Sequence, residues 1–101
     1  VDQFTFDDLD AILHQVGENA NEEWKIAADL TVRVFADRGQ EFTADDVWDV
    51  MDRLPYETHE PRALGAIMRA AQRSGIIVNT GTFASSRRRH KAPIPIWRAG
   101  E

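Results

Sequence analysis

The sequence contains no cysteine. Neither a disulfide framework nor a thiolate metal centre can therefore hold it together. No apolar run approaches the ~20 residues that a membrane-spanning helix requires, so no membrane partner is expected. Its three histidines, His14, His59 and His90, are scattered and lack a His-Glu-x-x-His spacing. There is no glycine-rich loop to cradle a nucleotide, since Asn79-Thr-Gly81 carries a single glycine. The carboxylates crowd at helix starts, where capping accounts for them, and Asp45/Asp46/Asp49 is the one cluster that suggests a metal. No catalytic residue, metal or cofactor is expected, and the chain reads as a non-enzyme. The acidic opening Val1-Asp-Gln-Phe-Thr-Phe-Asp-Asp8 is the opposite of a secretory leader, which gives an expected cytoplasmic location.

What is present is one domain's worth of chain: 101 residues, 43% apolar and 29% charged. The net charge of -5 hides a division. Residues 1–60 hold 16 acids and 4 bases, whereas residues 61–101 hold 1 acid and 8 bases. A phosphate backbone responds to the local patch that faces it, not to the isoelectric point. The same division also fits a dipolar protein whose acids pair with its own bases.

Hydrophobic spacing gives four helices. The first starts at Phe4-Thr-Phe-Asp-Asp8, with Thr5 as cap and Phe4 stapled to Leu9, and stops near Gly17. The second starts at Asn21 and presents Trp24, Ala27, Ala28, Leu30, Thr31, Val34 and Phe35 on one broad face, ending at Gly39. The third repeats the first capping solution, with Thr43 as cap, Asp45 and Asp46 in the first turn and Phe42 opposite Val47. The fourth runs from Pro61 to a stop at Gly75. Beyond it the period changes. Ile76–Thr80 reads as a strand, and Ile94-Pro-Ile-Trp97 as an edge strand because Pro93 and Pro95 lack backbone donors. A basic loop spans about residues 81–92 between them. The expected fold class is mainly α with a small antiparallel β-hairpin, a winged helix-turn-helix carrying an extra N-terminal helix. Residues 1–20 form the acidic N-terminal helical segment and residues 21–101 the winged-helix domain.

On a wheel of 100° per residue, Arg62, Arg69 and Arg73 fall within about 40° of one another. They lie opposite the apolar stripe of Leu64, Ile67, Met68 and Ala71. Gly65 and Ala66 flank them and leave the backbone free to approach a surface. Arginine can grip guanine O6 and N7, or a phosphate, with two parallel hydrogen bonds. A solvated outer face commonly mixes signs, and this one has no acid from Arg62 to Arg73. The helix at about 61–74 is therefore read as a recognition helix. The loop Ser85-Ser-Arg-Arg-Arg-His-Lys91 is read as a wing, with Arg87, Arg88, Arg89 and Lys91 on backbone or minor groove and Ser85 and Ser86 on phosphates. Trp24, Trp48 and Trp97 are read as core anchors, and Tyr56 as a packing or phosphate-contact residue.

The segments Phe42-Thr-Ala-Asp-Asp-Val-Trp48, Glu60-Pro-Arg-Ala-Leu-Gly-Ala-Ile-Met-Arg-Ala-Ala71, Gly75-Ile-Ile-Val-Asn-Thr-Gly81 and Pro93-Ile-Pro-Ile-Trp97 resemble small winged-helix or helix-turn-helix proteins encoded by bacteriophages and prophages of actinobacteria. The likeness covers roughly residues 20–98 and leaves the N-terminal segment outside it. It implies binding of double-stranded DNA in the host cytoplasm or nucleoid, for transcriptional regulation or an accessory task in replication or recombination. A competing reading is a protein-interaction module whose acidic N-terminal half docks on a basic partner. A further one has the N-terminal helix pair two copies into a homodimer.

Overall fold

A computed structural model describes residues 6–16, 23–57, 62–88 and 90–100. The order is α1 (Phe6–Val16), α2 (Glu23–Asp37), α3 (Ala44–Met51), α4 (Ala63–Arg73), β1 (Ile77–Ser85) and β2 (Pro93–Ala99). The fold is thus mainly helical with one antiparallel hairpin. The expected cap at Thr5, the Phe4 staple, the Asn21 cap, Pro61 and Arg89 lie outside the described residues.

Helix α2 is the centre of the packing and touches α1, α3, α4 and β2. Its buried side includes Trp24, Ala27, Ala28, Thr31 and Phe35, as the spacing predicts, and also Val32. Leu30 and Val34, expected on that face, are only partly buried. Thr31 can be fully enclosed because its hydroxyl donates to the Ala27 carbonyl one turn earlier at 2.8 Å. Leu9 and Ile12 bring α1 into the same core, while Leu13 stays on its open side. Phe35 and Phe42 stack at 4.8 Å across the turn that leads from α2 to α3.

The start of α3 follows from its sequence. The Thr43 hydroxyl accepts the Asp46 amide at 3.4 Å, and Asp46 Oδ2 accepts the Thr43 amide at 2.8 Å. This reciprocal box satisfies two of the orphan donors at the helix start. Replacing Thr43 by alanine is expected to cost about 1 kcal/mol of stability, read by urea unfolding. A loss below a few tenths would mean that Asp46 alone holds the helix start.

The hairpin is longer than expected, and its loop is shorter, covering residues 86–92 in place of 81–92. The reason is a bulge. Asn79 pairs with Trp97 but Phe83 pairs with Pro95, so β1 carries extra residues over that interval. Gly81, which reads in sequence as a strand end, has φ +86 within the strand, a conformation glycine adopts without penalty. Its amide bonds to Asn79 Oδ1 at 2.8 Å, and the Thr80 hydroxyl donates across the bulge to the Ile96 carbonyl at 2.8 Å.

Strand β2 is not a free edge throughout. Trp97 exchanges both backbone hydrogen bonds with Phe42, at 2.9 and 2.8 Å. The Trp97 amide therefore points away from β1. Two and four residues earlier, the nitrogens of Pro95 and Pro93 point the same way, so neither proline removes a bond from the hairpin ladder. This bridge fixes the hairpin to the α2–α3 turn, and Ile77 and Trp97 join the helical core.

Candidate nucleic-acid interface

Helix α4 buries Leu64, Met68 and Ala71 and leaves Arg62, Ala66, Arg69 and Arg73 exposed. Eleven residues of helix carry this arginine row across about 16 Å. No ion pair among the described residues engages any of the three arginines. Gly65 lies beneath the row. A Cβ built there would stand 3.4 Å from Arg69 Nη1, so the Arg69 guanidinium lies back over the helix toward Arg62.

The hairpin loop differs from its sequence reading. Ser86 is 1% exposed. Its hydroxyl donates to both oxygens of Asp45, at 3.0 and 3.1 Å, and accepts the Arg88 amide at 3.2 Å. The expectation that Ser86 contacts phosphate is therefore corrected: a buried hydroxyl committed to a carboxylate cannot reach a ligand, and its task is to hold the loop. Asp45, itself only 4% exposed, also accepts the Arg87 amide at 2.6 Å. The Ser86 backbone closes the loop from the other side, its amide bonding to the Ala92 carbonyl and its carbonyl accepting the Lys91 amide, both at 2.9 Å. Ser85 is exposed on β1, and His90 and Lys91 are exposed with φ of 54° and 66°.

The side chains of Arg87 and Arg88 turn toward α3. Arg87 donates to Asp49 at 2.6 Å and lies 3.8 Å from Asp46. Arg88 donates to Asp49 at 3.2 Å and to Asp52. The hydrogen bond to Asp52 leads the forces that raise the Arg88 pKa above its ordinary value, against a smaller opposing effect of burial. The Arg88 guanidinium also sits 5.9 Å from the centre of the Trp48 ring, and that ring in turn packs on Trp24 at 5.5 Å. The acidic and basic parts of the chain are thus partly paired internally at this corner, while Arg38 pairs with Asp8 within the acidic part.

The sequence does carry a trace of the pairing. Asp45, Asp49 and Asp52 share one side of α3 at four- and three-residue spacing, opposite Val47, Val50 and Met51, which are buried. Trp48, read as a core anchor, is only partly buried and supports Arg88 from below. Tyr56 packs partly against the core, and burial, with Glu23 nearby, raises its hydroxyl pKa.

A groove of about 720 Å³ runs between α3, α4 and the hairpin. Arg62, Arg69 and Arg88 line it, above Trp48, Leu64 and Ile94. Arg73 and Lys91 are not among its lining residues. The structure thus brings two arginines of α4 together with one of the loop. No group of histidine and carboxylate side chains able to hold a metal occurs among the described residues, and none of their helices is long and apolar enough to cross a membrane. Comparison with known protein families, with curated proteins and with solved structures finds no match to this chain.

Proposed function

We propose that the chain is a winged-helix domain that binds double-stranded DNA, with α4 lying in the major groove and the hairpin acting as the wing. The observation that carries this reading is the row Arg62, Arg69 and Arg73. These arginines are exposed, free of acids along α4, and unpaired among the described residues. A neighbouring helix rich in aspartate would ordinarily oppose a polyanion, but Asp45, Asp46, Asp49 and Asp52 are all occupied by the hairpin or by capping. The resemblance to phage and prophage helix-turn-helix proteins is compatible with a transcriptional regulator or an accessory factor in replication or recombination. The alternative, a protein partner on the acidic half, loses force at α3 for the same reason: its carboxylates already have cationic partners.

The test is fluorescence anisotropy on random and selected duplexes over a range of salt. Replacing Arg69 by alanine is expected to change the preferred sequence where Arg69 reads a base edge, and a uniform loss at all sequences assigns it to a phosphate instead. Replacing Arg73 is expected to weaken all duplexes alike and to reduce the slope of log affinity against log salt by about 0.9, as for one lost phosphate contact. Absence of any salt-dependent duplex binding by the unaltered protein would overturn the reading.

A further inference from the structure

The groove between α3, α4 and the hairpin contains more donor capacity than the protein itself uses. Arg88 offers five N–H donors, yet both of its side-chain hydrogen bonds leave from Nη2, toward Asp49 and Asp52. Its Nε and Nη1 donate to no described residue. The Arg88 guanidinium carbon also sits 5.9 Å from the centre of the Trp48 ring, so Arg88 is held over an aromatic ring by two carboxylates with donors to spare. Arg62 and Arg69 line the same groove from α4, on either side of Gly65. Asp45 also lines it, but its oxygens are taken by the Ser86 hydroxyl and the Arg87 amide. Three arginines, two from α4 and one from the hairpin loop, thus line one groove above an apolar floor of Leu64 and Ile94. The volume of about 720 Å³ is within the usual range for a small-ligand site. A tetrahedral oxyanion has enough acceptor oxygens to engage several guanidinium forks at once.

We propose that this groove is a seat for one phosphate ester group, held by Arg62, Arg69 and Arg88. The same chemistry is presented by an internal phosphodiester of a duplex, by a 5′-terminal phosphate and by a free nucleotide. In its duplex form the seat rests on the DNA-binding reading; the groove's affinity for a small phosphate does not. Asp49 and Asp52 hold Arg88 at the groove edge, and Trp48 makes the site spectroscopically visible.

The probe is inorganic pyrophosphate, titrated against the full chain at constant ionic strength and followed by amide and indole NMR shifts and by tryptophan fluorescence. Saturable shifts are expected at the Trp48 indole N–H and the Gly65 amide. Arg69→Gln and Arg88→Gln should each weaken binding about fivefold, and Arg88→Lys by less. Arg98→Gln, an exposed arginine outside the groove, should leave it unchanged. Weak, non-saturable shifts, or equal effects of Arg98→Gln and Arg88→Gln, would overturn the seat. Thermal unfolding of each variant separates loss of fold from loss of binding.

Duplexes with and without a 5′-phosphate then distinguish the sources. A preference for the phosphorylated end that Arg88→Gln abolishes supports a terminal phosphate, and equal affinity with the same loss on Arg88→Gln supports an internal one. Pyrophosphate binding without duplex binding would remove the DNA reading and keep the seat. Duplex binding that is indifferent to Arg69→Gln and Arg88→Gln, with no response to pyrophosphate, would do the reverse.

Discussion

Replacing Asp45 by alanine is expected to destabilise the fold by about 3 kcal/mol and to lower the melting temperature by roughly 15 °C. The carboxylate is nearly inaccessible and accepts from the Ser86 hydroxyl and the Arg87 amide. Its removal takes away the carboxylate acceptor of the buried Ser86 hydroxyl, and each lost bond is charge-assisted. Asparagine keeps an acceptor for the Arg87 amide and a polar partner for Ser86, so Asp45→Asn should lose about half as much. Urea unfolding followed by tryptophan fluorescence measures both. An alanine variant within about 0.5 kcal/mol of the unaltered protein would mean that the loop is held by its own backbone bonds.

Neutralising the two acids beyond it should act on binding and hardly on stability. The double substitution Asp49→Asn and Asp52→Asn is expected to tighten duplex binding about tenfold at low salt. In the free protein these carboxylates occupy Arg87 and Arg88, much as phosphates would, and they remain as negative charges beside an incoming backbone. A unit charge about 8 Å from a phosphate is worth roughly 1 kcal/mol at an effective dielectric near 40. Some of the gain is returned as the arginines lose their orientation. The ion pairs are substantially exposed, and pairs of this kind contribute little to folding. The gain should shrink as salt is raised. The reading in which the acidic half docks on a basic partner forecasts no gain for DNA and a loss for that partner. A pull-down and an anisotropy titration on the same variant therefore separate the two.

What could be read from the sequence was what is local. Thr43 and Asp46 lie within one turn, so the start of α3 was plain apart from the reciprocal bond. The apolar stripe of Leu64, Met68 and Ala71 repeats at helical spacing, so the arginine row opposite it could be drawn on a wheel. The hairpin was visible as two β-rich runs, but its length was not. Gly81 has the same letter whether it ends a strand or forms a bulge, and only the partner strand decides. The largest change concerned Ser86 and Arg87. They read as wing residues on phosphate, backbone or minor groove because the group that engages them, Asp45, lies about 40 residues earlier, beyond any local pattern. The charge division had been open to either an external anion or internal pairing. The structure realises internal pairing at the hairpin corner and leaves the row on α4 unpaired among the described residues.

The two prolines of β2 have a consequence for self-association. Along the outer side of Pro93–Ile96 an approaching strand would meet carbonyls but no amide donors, because the nitrogens that face it belong to Pro93 and Pro95. The outer side of β1 is interrupted by the bulge at Thr80-Gly81-Thr82. A sheet of two strands would ordinarily offer two templates for edge-to-edge growth, and here each is blunted by a different device. Copies of this chain that meet in solution should therefore not do so by extending the hairpin edge to edge, and a crowded or concentrated preparation should not convert to β-rich aggregates through that route.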